Sequence, residues 1–262
     1  MEQKSFTTMG NIAVINFPDE TKSKDKKKFA NEILKKNKAI KTVLEKSGKF
    51  KGRLRKMETK LLAGENTREI LYRENGCNFR FNIDSTYFSP RLSNERKEIS
   101  QKIKKNDSVL VMCAGVGPYP IVIAKNSKCK NVYSNELNRE ANKYAKQNIQ
   151  LNKLNEKIIL IPGDIKKVAS KLKNEIKKFD VIVMARPNLK DPFLKEAFIL
   201  SKKGTQIYYY GFCKIDEIDD TIKMIQDEAK KAKRKIKILN SKIAGEIAPY
   251  KIRVRVDFIL KN

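Results

Sequence analysis

From about Leu92 onward, short apolar runs alternate with segments of helical periodicity, and this constrains the fold more than any other feature of the chain. A helix is predicted over 93–104. It leads into Val109-Leu110-Val111-Met112-Cys113, a continuous apolar run of the kind found in strands buried on both faces of a parallel sheet. Strands are then predicted at 131–134, 157–161, 180–184 and 205–212, separated by helices at about 139–152, 165–177, 192–201 and 217–232. Strands at 236–247 and 252–260 close the chain with no helix between them. Such alternation ending in an antiparallel pair is a doubly wound α/β sheet. The first hundred residues have a different texture: a strand at 12–17 ended by Pro18-Asp19, a helix over 24–38 and a strand at 41–44. A hairpin of 69–73 and 79–83 around Glu74-Asn75-Gly76 completes a small α+β domain. The boundary is placed so that residues 1–85 form the first domain and 86–262 the second.

The 262 residues include no histidine, which removes Ser-His-Asp triads, Cys-His pairs and His-ligated zinc. Cys77, Cys113, Cys129 and Cys213 are scattered without a C-x-x-C, so neither a metal site nor a disulfide framework is expected. Proton transfer must fall to a carboxylate, Lys, Tyr or a bound water. No run approaches the roughly 18 apolar residues of a membrane span, and a cytoplasmic, monomeric protein without a protein partner is expected. Lys and Arg number 58 against 30 Asp and Glu, a net charge of +28. The excess is spread along the chain, +13 over 1–105 and +15 over the remaining 157 residues. Because 46 of the 58 cations are Lys, biased genome composition competes with function as its origin. A field of that sign attracts nucleic acid, and less readily an anionic membrane.

Cys113-Ala114-Gly115-Val116-Gly117-Pro118 follows the first strand of the sheet and opens a helix. Glycine there lets the backbone approach a ligand at the carboxyl edge of the sheet, although the third glycine of the dinucleotide fingerprint is missing. Glu136 ends the next strand, 19 residues after Gly117, where a carboxylate can accept both ribose hydroxyls. Asp164 follows the third strand in Pro162-Gly163-Asp164-Ile165, where it can take an adenine amino group. Either acid alone could equally be a helix cap. At successive strand ends they fit a nucleoside cofactor such as S-adenosylmethionine.

Tyr87-Phe88-Ser89-Pro90-Arg91-Leu92-Ser93-Asn94-Glu95-Arg96, followed by the glycine turn, resembles the archaeal and eukaryotic tRNA (guanine-37 N1)-methyltransferases. Leu62-Ala63-Gly64-Glu65, Tyr208-Tyr209-Tyr210 and Ala248-Pro249-Tyr250 extend the similarity over the whole chain, in order. The resemblance implies a Rossmann-type S-adenosylmethionine domain preceded by a small RNA-contacting domain, with tRNA near the anticodon as substrate. It implies Glu95 as general base, with Arg96 against the cofactor. Cofactor contacts carry over to Cys113, Glu136, Leu137, Asp164 and Ile165, with Gly115, Gly117 and Ala185 beside them. An arginine of the first domain would stabilise the target base; by position this is Arg55, with Arg53 its near rival. Charge developing on the guanine carbonyl oxygen needs a guanidinium, either Arg55 or Arg186.

The chain departs from that pattern in places. Ala185-Arg186-Pro187-Asn188 stands where the family usually has Asn-Pro-Pro or Asn-Leu-Pro, and Glu136 stands where Asp is commoner. The additional N-terminal domain that reads tRNA shape in longer archaeal members is expected to be absent. Four readings remain open: methylation of guanosine 37 at N1, methylation of a wyosine precursor, aminocarboxypropyl transfer, and a catalytically silent tRNA-binding module.

Overall fold

The computed structural model describes residues 6–48, 57–175 and 178–262. Two sheets and a hairpin make up the chain. The first sheet is four-stranded, β1 (Phe6–Met9), β2 (Ile12–Ile15), β3 (Thr42–Lys46) and β4 (Thr59–Gly64), in that spatial order. Helix α1 (Ser23–Lys36) crosses between the parallel strands β2 and β3. Its Ala30 and Ile33 bury against Ala13, Ile15 and Val43, which is the helical stripe anticipated from the 29–34 spacing.

The hairpin of β5 (Glu69–Glu74) and β6 (Cys77–Asn82) turns through Asn75 and Gly76, both at positive φ, the two-residue geometry that matches strand twist. Cys77, Phe79 and Phe81 alternate inward along β6, and Phe81 stacks on Phe88 with ring centroids 4.6 Å apart. A boundary at residue 85 groups this hairpin with the first unit. Its apolar face nevertheless packs in one core with Ile99, Val109, Val111 and Ile121 of the second.

The second sheet has seven strands: β7 (Ser108–Met112), β8 (Asn131–Glu136), β9 (Ile158–Pro162), β10 (Phe179–Met184), β11 (Ser201–Lys214), β12 (Ile236–Ala248) and β13 (Lys251–Leu260). Their spatial order is β12-β13-β11-β10-β7-β8-β9, parallel except for β13, which runs antiparallel to both neighbours. Helices α2 (Ser93–Lys102), α3 (Pro118–Asn126), α4 (Arg139–Leu151), α5 (Ile165–Glu175), α6 (Leu194–Ile199) and α7 (Ile218–Lys231) cover the two faces. Strand β7 shows why its run is unbroken: Val109 and Val111 enter the core beside α3 and the hairpin, while Leu110 and Met112 enter the core beneath α5 and α6. The chain winds outward from β7 through β8 and β9, then returns to β10 on the other side. A crevice therefore opens at the carboxyl ends of these strands. No described helix is long and apolar enough to cross a membrane.

Helix α4 clasps the hairpin with two asparagine side chains. Asn148 pairs with both backbone groups of Arg80, accepting at 2.7 Å and donating at 3.1 Å, and Asn152 pairs likewise with Asn78 at 2.9 and 2.7 Å. The match is geometric: four residues of helix rise about 6 Å, and two residues of strand about 6.8 Å. A strand edge that would expose unpaired amides is closed by side chains. The two units also meet at the β1–β2 turn. A Cβ on Gly10 would lie 1.7 Å from the carbonyl oxygen of Leu71, and Asn11 accepts from Leu71 N at 2.9 Å.

Candidate active site

The loops at the carboxyl ends of β7, β8, β9 and β10 surround a cleft open to solvent, also bordered by Tyr87, Tyr210 and Arg253. Cys113, Gly115, Glu136, Leu137, Asp164, Ile165, Ala185 and Arg186 all border it. The β7–α3 turn holds Cys113, Gly115 and Gly117 at φ values of 59°, 60° and 89°. Left-handed backbone costs an L-residue such as Cys113 roughly 1–2 kcal/mol. At Gly115 a Cβ would also sit 3.4 Å from the Tyr87 carbonyl oxygen. Gly117 is a correction: it does not border the cleft, and its bare Cα instead lets α3 start close to Ile121 and Ala145.

Glu136 is the organising acid of the cleft. One carboxylate oxygen accepts from Gly115 N at 2.8 Å and the other from Asn138 N at 2.7 Å. Burial pushes its carboxyl above the usual range, and the backbone N–H bonds from Asn138, Gly115 and Leu137 pull it only part of the way back. Each oxygen keeps acceptor capacity toward the cleft, as recognition of two adjacent hydroxyls requires. Asp164 caps α5, accepting from Lys166 N at 3.1 Å.

Three expected roles are revised by the geometry. Arg96 does not border the cleft; it is buried in a bidentate pair with Glu74, at 2.5 and 2.6 Å, its guanidinium over the ring of Phe88. It thereby joins α2 to the hairpin. Arg186 borders the cleft, but its guanidinium folds back on its own loop to bond the carbonyl oxygens of Leu189 and Asp191. Both bonds come from Nη2, while Nε is buried without a partner. Glu95 is buried behind the wall, where Tyr210 donates to its Oε2 at 2.9 Å, Arg255 pairs with the same oxygen at 2.7 Å and Lys242 pairs with Oε1 at 2.8 Å. Its link to the cleft is the Tyr210 hydroxyl. Arg55 and its rival Arg53 lie outside the described residues.

The sequence reading assigned no role to the rest of this network or to the three wall residues Tyr87, Tyr210 and Arg253. Arg255 is wholly buried and also bonds Glu98 at 2.6 Å and Asp257 at 2.7 and 3.0 Å. Arg253, Arg255 and Asp257 alternate with Val254, Val256 and Phe258, the ordinary pattern of a strand with one polar face, so nothing local marked Arg255 as buried. Arg253, on the same strand, borders the cleft with its guanidinium 5.2 Å over the Phe212 ring and 3.5 Å from the Tyr87 hydroxyl.

Among the described residues no cluster of His, Cys, Asp or Glu could hold a metal ion. The cleft offers a buried carboxylate for a vicinal diol, a left-handed backbone turn and apolar walls from Leu92, Ile165 and Phe193. These features fit the nucleoside of S-adenosylmethionine. Sheet order and cleft together define a Rossmann-type S-adenosylmethionine-dependent methyltransferase.

Residues 70–239 match the TRM5/TYW2 methyltransferase domain, and residues 2–67 match the TYW2 N-terminal domain. The chain belongs to the TRM5/TYW2 methyltransferase family. It is 35% identical to the tRNA (guanine(37)-N(1))/4-demethylwyosine(37)-methyltransferase Taw22 of Nanoarchaeum equitans, over 98% of this chain and 99% of that protein. It is 34% identical to the tRNA (guanine(37)-N(1))-methyltransferase Trm5b of Pyrococcus abyssi, over 97% of this chain and 74% of the relative. The crystal structure of that Trm5b superposes with a TM-score of 0.85 at 32% identity, covering 98% of this chain and 75% of the other. A complex of aTrm5 with tRNALeu gives 0.85 at 31% identity, covering 98% and 72%.

Proposed function

We propose that this protein transfers a methyl group from S-adenosylmethionine to N1 of guanosine 37 in tRNA. The observation that carries the reading is the Tyr210–Glu95 pair: Tyr210 borders the donor cleft and donates its hydroxyl to a buried carboxylate on the first turn of α2. Guanine N1 holds its proton at neutral pH, so transfer to it needs a proton acceptor. When bound, S-adenosylmethionine supplies an electrophilic methyl sulfonium, and the protein's task is alignment and proton removal. Glu95 is that acceptor, reached through Tyr210. As the N1 proton moves to the Tyr210 oxygen, the hydroxyl proton moves to Glu95 Oε2. Burial holds the Tyr210 hydroxyl well above the usual tyrosine range, so the two transfers occur together and tyrosinate does not accumulate. Negative charge growing on the guanine carbonyl oxygen is met by Arg253, which borders the cleft beside Tyr87, while the Arg186 Nη2 is held by its own loop. Glu136, Leu137, Asp164 and Ile165 hold the donor.

A second reading, methylation of a tricyclic derivative of the same guanosine, is favoured by the loop after β10. Ala185 puts only a methyl group where the family's amide stands, and Arg186 folds away from the opening, which leaves room for a wider base. The test is mass spectrometry of unmodified tRNA transcripts, and of tRNA carrying a wyosine precursor, after incubation with enzyme and donor. One methyl on the guanosine 37 fragment supports the first reading, and a methyl on the precursor alone supports the second. A larger adduct would mean aminocarboxypropyl transfer, and no product on either RNA would remove the enzymatic reading.

A further inference from the structure

We propose that Tyr250, with Lys214 and Lys251 on either side, is a stacking platform for one unpaired nucleotide of the RNA substrate, next to the nucleotide held in the cleft. The proposal rests on the tRNA reading above. Tyr250 is 82% exposed, the most exposed of the large apolar side chains among the described residues. It is the second residue of the Pro249-Tyr250 turn between β12 and β13, at a φ of +61°. After proline, that position usually takes Gly or Asn, because an L side chain is disfavoured there. This chain holds an aromatic ring out into solvent at a backbone conformation that does not suit it.

The surroundings supply the chemistry of a nucleotide site. Lys214 and Lys251 are directly opposite each other on β11 and β13, and Ile215, half exposed, floors a shallow hollow with Pro249 and Tyr250. Ile215 N donates to the Tyr250 carbonyl at 3.3 Å, which ties the turn to the end of β11. The Lys214 ammonium is shared with Glu217 at 3.0 Å, and Asp216 also borders the hollow, so Lys251 is the cation beside the ring that a phosphate would meet first. An apolar ring with a flanking ammonium group suits a base and its phosphate and is indifferent to base identity. Position completes the argument. β11 runs parallel to β10 and pairs with β13, so its end and the start of β13 lie at the same sheet edge as the cleft. Arg253 borders the cleft and Lys251 is two residues away along β13, about 7 Å. A splayed-out neighbour of the target nucleotide spans that interval.

The experiment measures binding of an anticodon stem-loop RNA by fluorescence anisotropy to wild type, Tyr250→Phe and Tyr250→Leu, with single abasic substitutions on each side of the target. The side chain is exposed, so melting temperatures should be unchanged in both variants. We expect Tyr250→Phe to bind like wild type and Tyr250→Leu to bind about 5- to 100-fold more weakly, the range of one lost stacking contact. One flanking abasic substitution should weaken wild type by a similar factor and leave Tyr250→Leu unaffected. If Tyr250→Leu binds and methylates as well as wild type, or if every abasic loss adds in full to that of the variant, the platform is wrong. Loss of a wild-type dimer in Tyr250→Leu, at unchanged RNA affinity, would make the surface a contact between copies of the chain. Wild type that neither binds nor methylates the RNA would overturn the tRNA reading itself.

Discussion

Arg255 offers the sharpest test of how this site is held. Its side chain is 0% exposed and serves three carboxylates, those of Glu95, Glu98 and Asp257. Replacing it with Met keeps much of the volume and removes the charge. Asp257 then retains Lys102 at 3.1 Å, and Glu95 retains Lys242, with both acids still buried. Breaking a buried pair from one side leaves uncompensated charge and costs about 3–5 kcal/mol. At roughly 2–4 °C per kcal/mol for a protein of this size, Arg255→Met should melt about 10 °C below wild type. Lys242 touches two of the same acids but is 34% exposed. Lys242→Met should therefore cost no more than about 1 kcal/mol. Thermal melts at pH 7 give the comparison. The Arg255→Met deficit should also narrow as pH falls, because protonating an orphaned carboxylate removes its charge. Equal melting temperatures for the two variants, or a deficit that grows in acid, would refute the idea that Arg255 is the electrostatic centre of this network.

Other expectations follow from the same geometry. Saturating S-adenosylmethionine at about 100 times its Kd should stabilise wild type by about 2.7 kcal/mol, and Glu136→Ala should abolish the shift in a differential scanning experiment. No shift in wild type would remove the cofactor assignment. Glu95→Gln and Tyr210→Phe should each lower kcat by about 100-fold or more while leaving the donor-induced thermal shift intact; single-turnover kinetics on tRNA provide the check. Glu98 is held down to about 2 from its usual 4.5, chiefly by hydrogen bonding to Arg255. A depressed carboxylate stabilises the fold above its unfolded value, and that contribution is lost as pH falls from about 4.5 toward 2. Glu98 is partly exposed, so the loss is about 1 kcal/mol. Urea titrations of wild type and Glu98→Gln at pH 5 and pH 3 should converge by that amount.

Local signals carried most of the second unit. Unbroken apolar runs marked β7 and β10 because both of their faces are buried, and the acid at the end of β8 was legible because strand ends are where this architecture binds ligands. Strand β1 was not anticipated: three of its four residues are exposed, so no alternation distinguishes Phe6–Met9 from a loop. Strand β4 shows only intermediate burial along Leu61, Leu62 and Ala63. The buried charge network was illegible for another reason. Arg255 and Glu95 are 160 residues apart in the chain, and nothing local to either reports the other. Arg96 was placed by resemblance and Arg186 by the charge that the reaction develops, and neither argument gives the direction in which a guanidinium points.

The seam at Gly10 has a consequence for substrate choice. Glu65 is tied to the first sheet through Lys41 and Thr42, and Arg68 to the second unit through Ile83, so Asn66 and Thr67 are the covalent link between them. The β1–β2 turn, pressed against Leu71, and the core shared by Met9, Ile12 and Leu44 with Phe79 fix the two units side by side. If the first unit grips the anticodon stem, its distance from the cleft works as a ruler that decides which nucleotide arrives opposite the donor. The zero of the ruler is set by a missing Cβ. A methyl group at Gly10, which does not border the cleft, would then act as a shim and displace the measured nucleotide.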